Sequence, residues 1–320
     1  MMIKRGLAAG MIAGVMAIIA TGMVQGQDYP RKPIRVVTSP TGGGLDFIAR
    51  TMAQGLSGPM GQQFIIDNRP TRLLPELVAK APADGYHLLV HGSALWLLPF
   101  MAEVSHDALR DFAPITQMAR APLVVVVHPS LPVKSVRDLL ALAKARPGDL
   151  NYGSGSTGSS SHLSAELLKH MAGVNIMRIP YKGLGAATND LIGGRVHMMF
   201  ATAPTAAAHV ASGRLRALAI TSAQPSALAP GLPTVAASGL PGYEAATIYG
   251  LFAPARTPKT IIDRLNQETV RVLHTADVKK RFFNAGSEVV GSSPAEFATV
   301  IKADMAKMGR MIKDAGIREE

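Results

Sequence analysis

The sequence predicts an α/β protein assembled from strand–loop–helix units. Short β-type runs alternate with helix-period segments along most of the chain. Two of those units, at 39–46 and 151–163, carry a Gly-rich loop between strand and helix. Of 320 residues, 48% are hydrophobic and 17% charged, which suits a large core in one large or two ordinary domains.

Taken in order, the chain begins with Lys4 and Arg5, then an uncharged apolar run through Val24. With Val24-Gln25-Gly26 at a cleavage position, residues 1–26 read as a secretory signal and Gln27 as the first mature residue. The rival is an uncleaved membrane anchor. The expected location is the periplasm. The chain has no cysteine, which excludes disulfides, thiolate nucleophiles, Cys-based metal sites and a lipid anchor on cysteine. Net charge is +11; without Lys4 and Arg5 the mature chain carries 31 − 22 = +9. Such a balance favours anionic partners. No dense Lys/Arg stripe is present and aromatics are only 5%, so nucleic acid is not expected.

Strands are expected at 34–38, 64–67 and 87–91, with helices after the first loop and over 73–80. A Val-rich run at 123–128 reads as a buried strand. Ser135 caps a helix to about 146, stopped by Pro147-Gly148. Strands follow at 176–179, 196–200 and 215–220, with helices at 187–192 and 204–212. Residues 224–242 form a Pro/Ala/Gly-rich connection, and 248–253 a returning strand. Pro258 opens a helix. Ser293-Pro294-Ala295-Glu296 is a capping box, and Gly316 ends its helix. These terminal helices read as packing elements. The rhythm predicts a parallel sheet.

The second Gly-rich loop holds Ser154, Ser156, Thr157, Ser159, Ser160 and Ser161, with His162 at the helix start. The first holds Ser39, Thr41, Gly42, Gly43, Gly44, Leu45 and Asp46. Glycine lets another molecule approach the backbone closely, and hydroxyls donate or accept. A helix N-terminus adds free N–H groups and partial positive charge. The two loops therefore suggest two half-sites facing one anion. They contain no basic residue, so binding without an Arg or Lys clamp is expected.

Tyr29-Pro30-x-Lys32-Pro33-Ile34-Arg35, Gly42-Gly43-Gly44-x-Asp46, Asn68-Arg69-Pro70 and Asp84-Gly85-Tyr86 form an ordered series. It continues with Ser154 through Ser160-Ser161-His162-Leu163, Pro180-Tyr181-Lys182-Gly183, Asp190-Leu191-x-Gly193-Gly194 and Leu215-Arg216-Ala217-Leu218-Ala219. Pro233-Thr234-Val235 and Gly250-Leu251-Phe252-Ala253-Pro254 complete it. The series resembles the tripartite tricarboxylate transporter substrate-binding proteins, the Bug family. The resemblance implies a two-lobed, type II-like periplasmic binding protein fold with a ligand cleft between the lobes. It implies a monomer that captures a small carboxylate for a membrane permease, without a cofactor. Residues 27–118 plus 249–320 would form one lobe and 119–248 the other, with crossings near Ala119 and Ile248. The chain departs from the family at Ser39, Leu45, Ala201 and the segment Thr71-Arg72-Leu73-Leu74, which replaces a Gly-rich loop.

Other readings compete. A sensor partner would use the same outer surface as a permease. Ser160, Ser161 and His162 invite a serine hydrolase, but the nucleophile elbow is missing and adjacent residues rarely pair as nucleophile and base. His87 and His91 lie four apart on a strand with no third ligand evident, so no metal site is expected. Ser93 and Trp96 lie just past the third strand, where strand ends border a ligand crevice. The lone Trp96 suggests an aromatic carboxylate stacked on its indole, against the competing reading of core packing.

Overall fold

The structure is a computed structural model that describes residues 29–319, so the expected signal at 1–26 lies outside the described residues. The chain opens with Ile34–Thr38 (β1), Gly44–Met60 (α1), Phe64–Asn68 (β2), Leu74–Ala79 (α2), His87–Gly92 (β3) and Ala94–Leu97 (α3). In α1, Ile48, Met52, Leu56 and Met60 recur every fourth residue and form the buried face. A long strand, Phe112–Val127 (β4), follows. Then come Val136–Ala145 (α4), Asn151–Ser154 (β5), Ser160–Ala172 (α5), Met177–Pro180 (β6) and Leu184–Ile192 (α6). Met198–Thr202 (β7), Ala203–Ala211 (α7), Arg216–Ile220 (β8) and Ala246–Pro254 (β9) lead into the end of the chain. It finishes with Lys259–Leu273 (α8), Ala276–Asn284 (α9), Glu288–Val289 (β10) and Pro294–Asp314 (α10).

The strands join in the order β2-β1-β3-β9-β4-β7-β5-β6, with β8 and β10 also on β4. Within β1–β3 and within β5–β7 pairing is parallel, as the alternating units require. Returning β9 runs antiparallel to both β3 and β4, so the sheet is mixed where a parallel one is expected. Strand β4 is the bridge. Its first part, Phe112 to Pro122, pairs with β9, and its second, Leu123 to Val127, with β7.

Only the Val-rich second part of β4 is visible as a strand in the sequence. Its first part contains Pro114, Arg120 and Pro122, and pairing shifts register near Pro114 and Gln117. Proline and bulges erase the period-2 signal there. Residues 151–154 of the second Gly-rich stretch also prove to be strand, β5, so the loop proper is 155–159. Pro258 caps α8 from outside it. The capping box at Ser293 and Glu296 forms as read. No helix among the described residues is long and apolar enough to cross a membrane.

Helix α10 is tied into the largest core. Trp96, Val125, Tyr152, Leu163, Phe297 and Met308 belong to one buried cluster that runs across both parts of the sheet. Gly250 on β9 is required by this packing. A Cβ there would lie 2.3 Å from Phe297 and 2.8 Å from Phe252. Gly250→Ala is expected to destabilise the chain by roughly 1–3 kcal/mol through overpacking. Urea unfolding checks this; an unchanged midpoint would show that Phe297 yields freely.

Candidate functional site

Where β1 and β3 end, β9 begins and β4 crosses, the chain forms a partly open cavity of about 600 Å³. That volume lies within the range usual for small-molecule sites. Ser39, Gly44 and Leu45 line it at the start of α1, and Gly158, Ser159 and Ser160 at the start of α5. Two helix N-termini more than a hundred residues apart in sequence thus open into one space. Tyr249 lines the cavity beside them, with its hydroxyl 3.1 Å from the Cβ position of Gly44. Burial pushes its phenol above the ordinary range, so it remains a neutral donor.

Each loop is braced from behind. In the first, the buried Asp46 carboxylate accepts from the Gly42 amide at 3.0 Å, Arg50 Nε at 2.9 Å and Asn68 Nδ2 at 2.8 Å. Burial favours the neutral acid, but Arg50 and the other donors outweigh it and hold Asp46 below the usual carboxylate range. In the second, Arg178 on β6 donates to Ser154 Oγ at 2.9 Å, the Gly155 carbonyl at 2.9 Å and Thr157 Oγ1 at 3.1 Å. Ser161 Oγ accepts from the Gly155 amide and Ser159 Oγ caps α5. The His162 Nδ1 accepts from the Gly158 amide at 3.1 Å.

The structure therefore sorts the expected contacts. Ser39, Gly44, Leu45, Ser93, Ser159 and Ser160 line the cavity. Thr41, Gly42, Gly43 and Ser156 are exposed and do not line it. Asp46, Ser154, Thr157 and His162 do not line the cavity; they brace its loops. Ala201 is buried on β7 opposite Val124, in a separate core. Trp96 is fully buried, packed on Phe252 and Phe297, and its Nε1 donates to Asp304 Oδ2 at 2.7 Å. It offers no face to a ligand, because the short α3 turns its indole into the core.

Sequence reasoning misses most of the remaining wall. Gln117 and Arg120 come from β4, Thr247, Ile248 and Tyr249 from β9, and Val300, Ala303, Asp304, Lys307 and Met308 from α10. The absence of a basic residue holds for the loops but not for the cavity, and α10 is a wall as well as a packing element. Its one legible signal is the pair Asp304 and Lys307 within a row of apolar positions. Burial raises the Asp304 carboxyl, partly offset by the Trp96 N–H, and lowers the Lys307 ammonium. Of the replaced segment, Thr71 reaches the cavity, as does His91, whose Nδ1 accepts from the Gly92 amide at 3.0 Å.

The family model of the tripartite tricarboxylate transporter family receptor matches residues 48–317. Protein BugT of Bordetella pertussis is 33% identical over 302 residues, covering 92% of this chain and 93% of that one. The solved structure of R. palustris Rpa4515 with adipate is 36% identical, covers 91% of this chain and 99% of its own, and superposes with a TM-score of 0.75. MatC of Rhodopseudomonas palustris, solved with bound malate, is 25% identical, covers 89% and 100%, and gives 0.71.

Burial holds the His91 and His162 imidazoles neutral, at pKa values lowered to about 4. Folded values below the ordinary one of about 6.5 mean that the unfolded chain takes up protons first. Stability is therefore complete above about pH 6.5 and is lost as pH falls toward about 4. Denaturant unfolding across that window is expected to show this slope, and His91→Asn to flatten it. An identical slope in the variant would show that His91 does not contribute.

Proposed function

The chain belongs to the tripartite tricarboxylate transporter receptor family, and we propose that it captures a small carboxylate in this cavity and delivers it to a permease of that type. The single observation that supports this most is the convergence of the α1 and α5 N-termini on one cavity. Free N–H groups at both ends, with Ser39, Ser159, Ser160 and Tyr249 as hydroxyl donors, can surround a carboxylate. Each helix end contributes about 0.3–1 kcal/mol, and each charge-assisted hydrogen bond somewhat more. The fold is that of the two-lobed periplasmic binding proteins of this family, and the chain is a periplasmic solute-binding receptor.

In this reading the lobes are 27–118 with 249–320, and 119–248. The crossings fall on β4 and β9, which run side by side with Arg120 opposite Ile248. The receptor acts as a monomer and performs no chemistry. Ser160 has no base poised for it, because His162 Nδ1 is engaged by the Gly158 amide and burial keeps its ring neutral. With Trp96 buried, the apolar lining is mostly aliphatic, with Leu97, Leu163, Val300 and Met308, beside the ring of Tyr249. The ligand body is accordingly an aliphatic chain in preference to a stacked ring. The adipate in Rpa4515 is in keeping with this.

A thermal-shift series of aliphatic and aromatic carboxylates tests the proposal. A true ligand at a hundred times its Kd stabilises the native state by about 2.7 kcal/mol. Gly44→Val and Ser160→Leu, which fill the two helix starts, are expected to abolish that shift while the ligand-free melting temperature stays within a few degrees. Retained binding in both would move the site elsewhere.

A further inference from the structure

Helix α10 divides its charges between two faces. On the cavity side they are engaged by the protein. Asp304 accepts from Trp96 Nε1, and Lys307 Nζ donates to the main-chain carbonyl of Glu244 at 2.7 Å. The Arg120 guanidinium also approaches that residue, 3.7 Å from its carboxylate, and all four side chains line the cavity. On the outer side, Lys302, Ala306, Arg310 and Lys313 follow one another at three- and four-residue spacing, and all are exposed. Among the described residues, Lys302 and Arg310 make no side-chain hydrogen bond or ion pair. Lys313 has only the ring of Phe100, whose centroid lies 5.3 Å from the ammonium.

Arg310 and Lys313 line an open groove of about 420 Å³ between α10 and the turn Leu98–Phe100, with Phe100, Met305 and Ala306 as its apolar surface. The one acid that lines it, Asp314, lies 3.8 Å from His170 on α5. Gly309 belongs to the construction of this groove. A Cβ there would lie 2.6 Å from the Phe100 ring, so only glycine lets the ring rest on the helix. Glycine inside a helix is unfavourable relative to alanine, so the seat for this ring costs helix stability. The groove also stands at the junction of α10 with α5, which pack together. The same two helices line the ligand cavity on their other side, through Ser160 and Leu163 of α5 and Val300 and Met308 of α10.

We propose that this groove is the docking surface for an acidic periplasmic segment of the membrane permease, which sets an apolar side chain on Phe100 and Met305 and carboxylates against Arg310 and Lys313. The inference rests on the permease reading above. Cations without partners favour an anionic occupant, and an aromatic floor beside arginine is the composition usual at protein interfaces. A flat lipid surface would meet the row of cations but not the floor between them; a protruding segment of protein meets both. Because one helix pair carries the groove outside and the cavity inside, a permease seated here touches the elements that hold the captured solute.

Binding of the immobilised receptor to two kinds of nanodisc tests this, without added solute and in adipate. One kind holds the membrane subunits of a tripartite tricarboxylate permease from the same organism. The other is empty and made of the same phosphatidylethanolamine and phosphatidylglycerol. Wild type is expected to bind the permease discs with an association rate that falls as salt rises. Arg310→Glu is expected to slow association about tenfold and to flatten that salt dependence, and Lys313→Gln to do so less strongly. Both side chains are exposed, so the melting temperature and its shift with carboxylates are expected to stay unchanged. Unaltered association in both variants would overturn the groove and leave the permease reading standing. Equal binding of wild type to empty discs would overturn the protein partner in favour of anionic lipid. Binding to neither kind of disc, with or without adipate, would overturn the permease reading together with the groove; the thermal shift reports carboxylate capture separately.

Discussion

A site made of helix N-termini has an awkward requirement. Its N–H groups must stay free for a ligand, so the loops that carry them cannot be stabilised by their own backbone pairing. They have to be held from behind. Asp46 does this for the first loop by accepting from Gly42, Arg50 and Asn68. Arg178 does it for the second by donating to Ser154, Gly155 and Thr157. The two braces have opposite charge and the same effect. Each spends its own charge on the protein, which leaves the loop's cavity side uncharged and dipolar.

The braces work because each sits beside a rigid neighbour. Asn68 ends β2, next to β1, and Arg178 lies on β6, next to β5. Parallel pairing aligns the carboxyl ends of adjacent strands, so a residue at the end of one strand can hold the loop leaving the other. Strand β4 then relates the two assemblies. It pairs with β9 along its first part and with β7 and β8 along its second, so one strand sets how the two helix starts face each other. Helix α10 closes the space, anchored by Phe297 against Gly250 and by Trp96 against Asp304.

Much of the candidate site was legible because its signals are local. Both Gly-rich loops before amphipathic helices were visible, and Ser39, Gly44, Leu45, Ser159 and Ser160 line the cavity. What misled was treating nearly every polar residue of a loop as aimed at the ligand. Asp46, Ser154 and Thr157 carry the right groups in the right stretch, yet they serve the brace. Whether a loop side chain faces a cavity or its own scaffold depends on backbone turns such as the left-handed Gly158, with φ of +77°. Trp96 failed for a related reason. An indole needs a polar partner as well as burial, and its partner, Asp304, lies 208 residues away.

By itself the sequence determined the strand–helix rhythm, the two Gly-rich loops before helices, the capping of α10 and the family. These follow from periodicity, glycine placement and ordered short motifs, all of which act over a few residues. Tertiary structure alone decided the antiparallel return of β9, the extension of β4 through its prolines, and the entry of Arg120, Glu244, Asp304 and Lys307 into the cavity wall. Those outcomes depend on contacts between segments far apart in the chain. Packing geometry, not local preference, selects which face of α10 is turned inward and which two cations meet at residue 244.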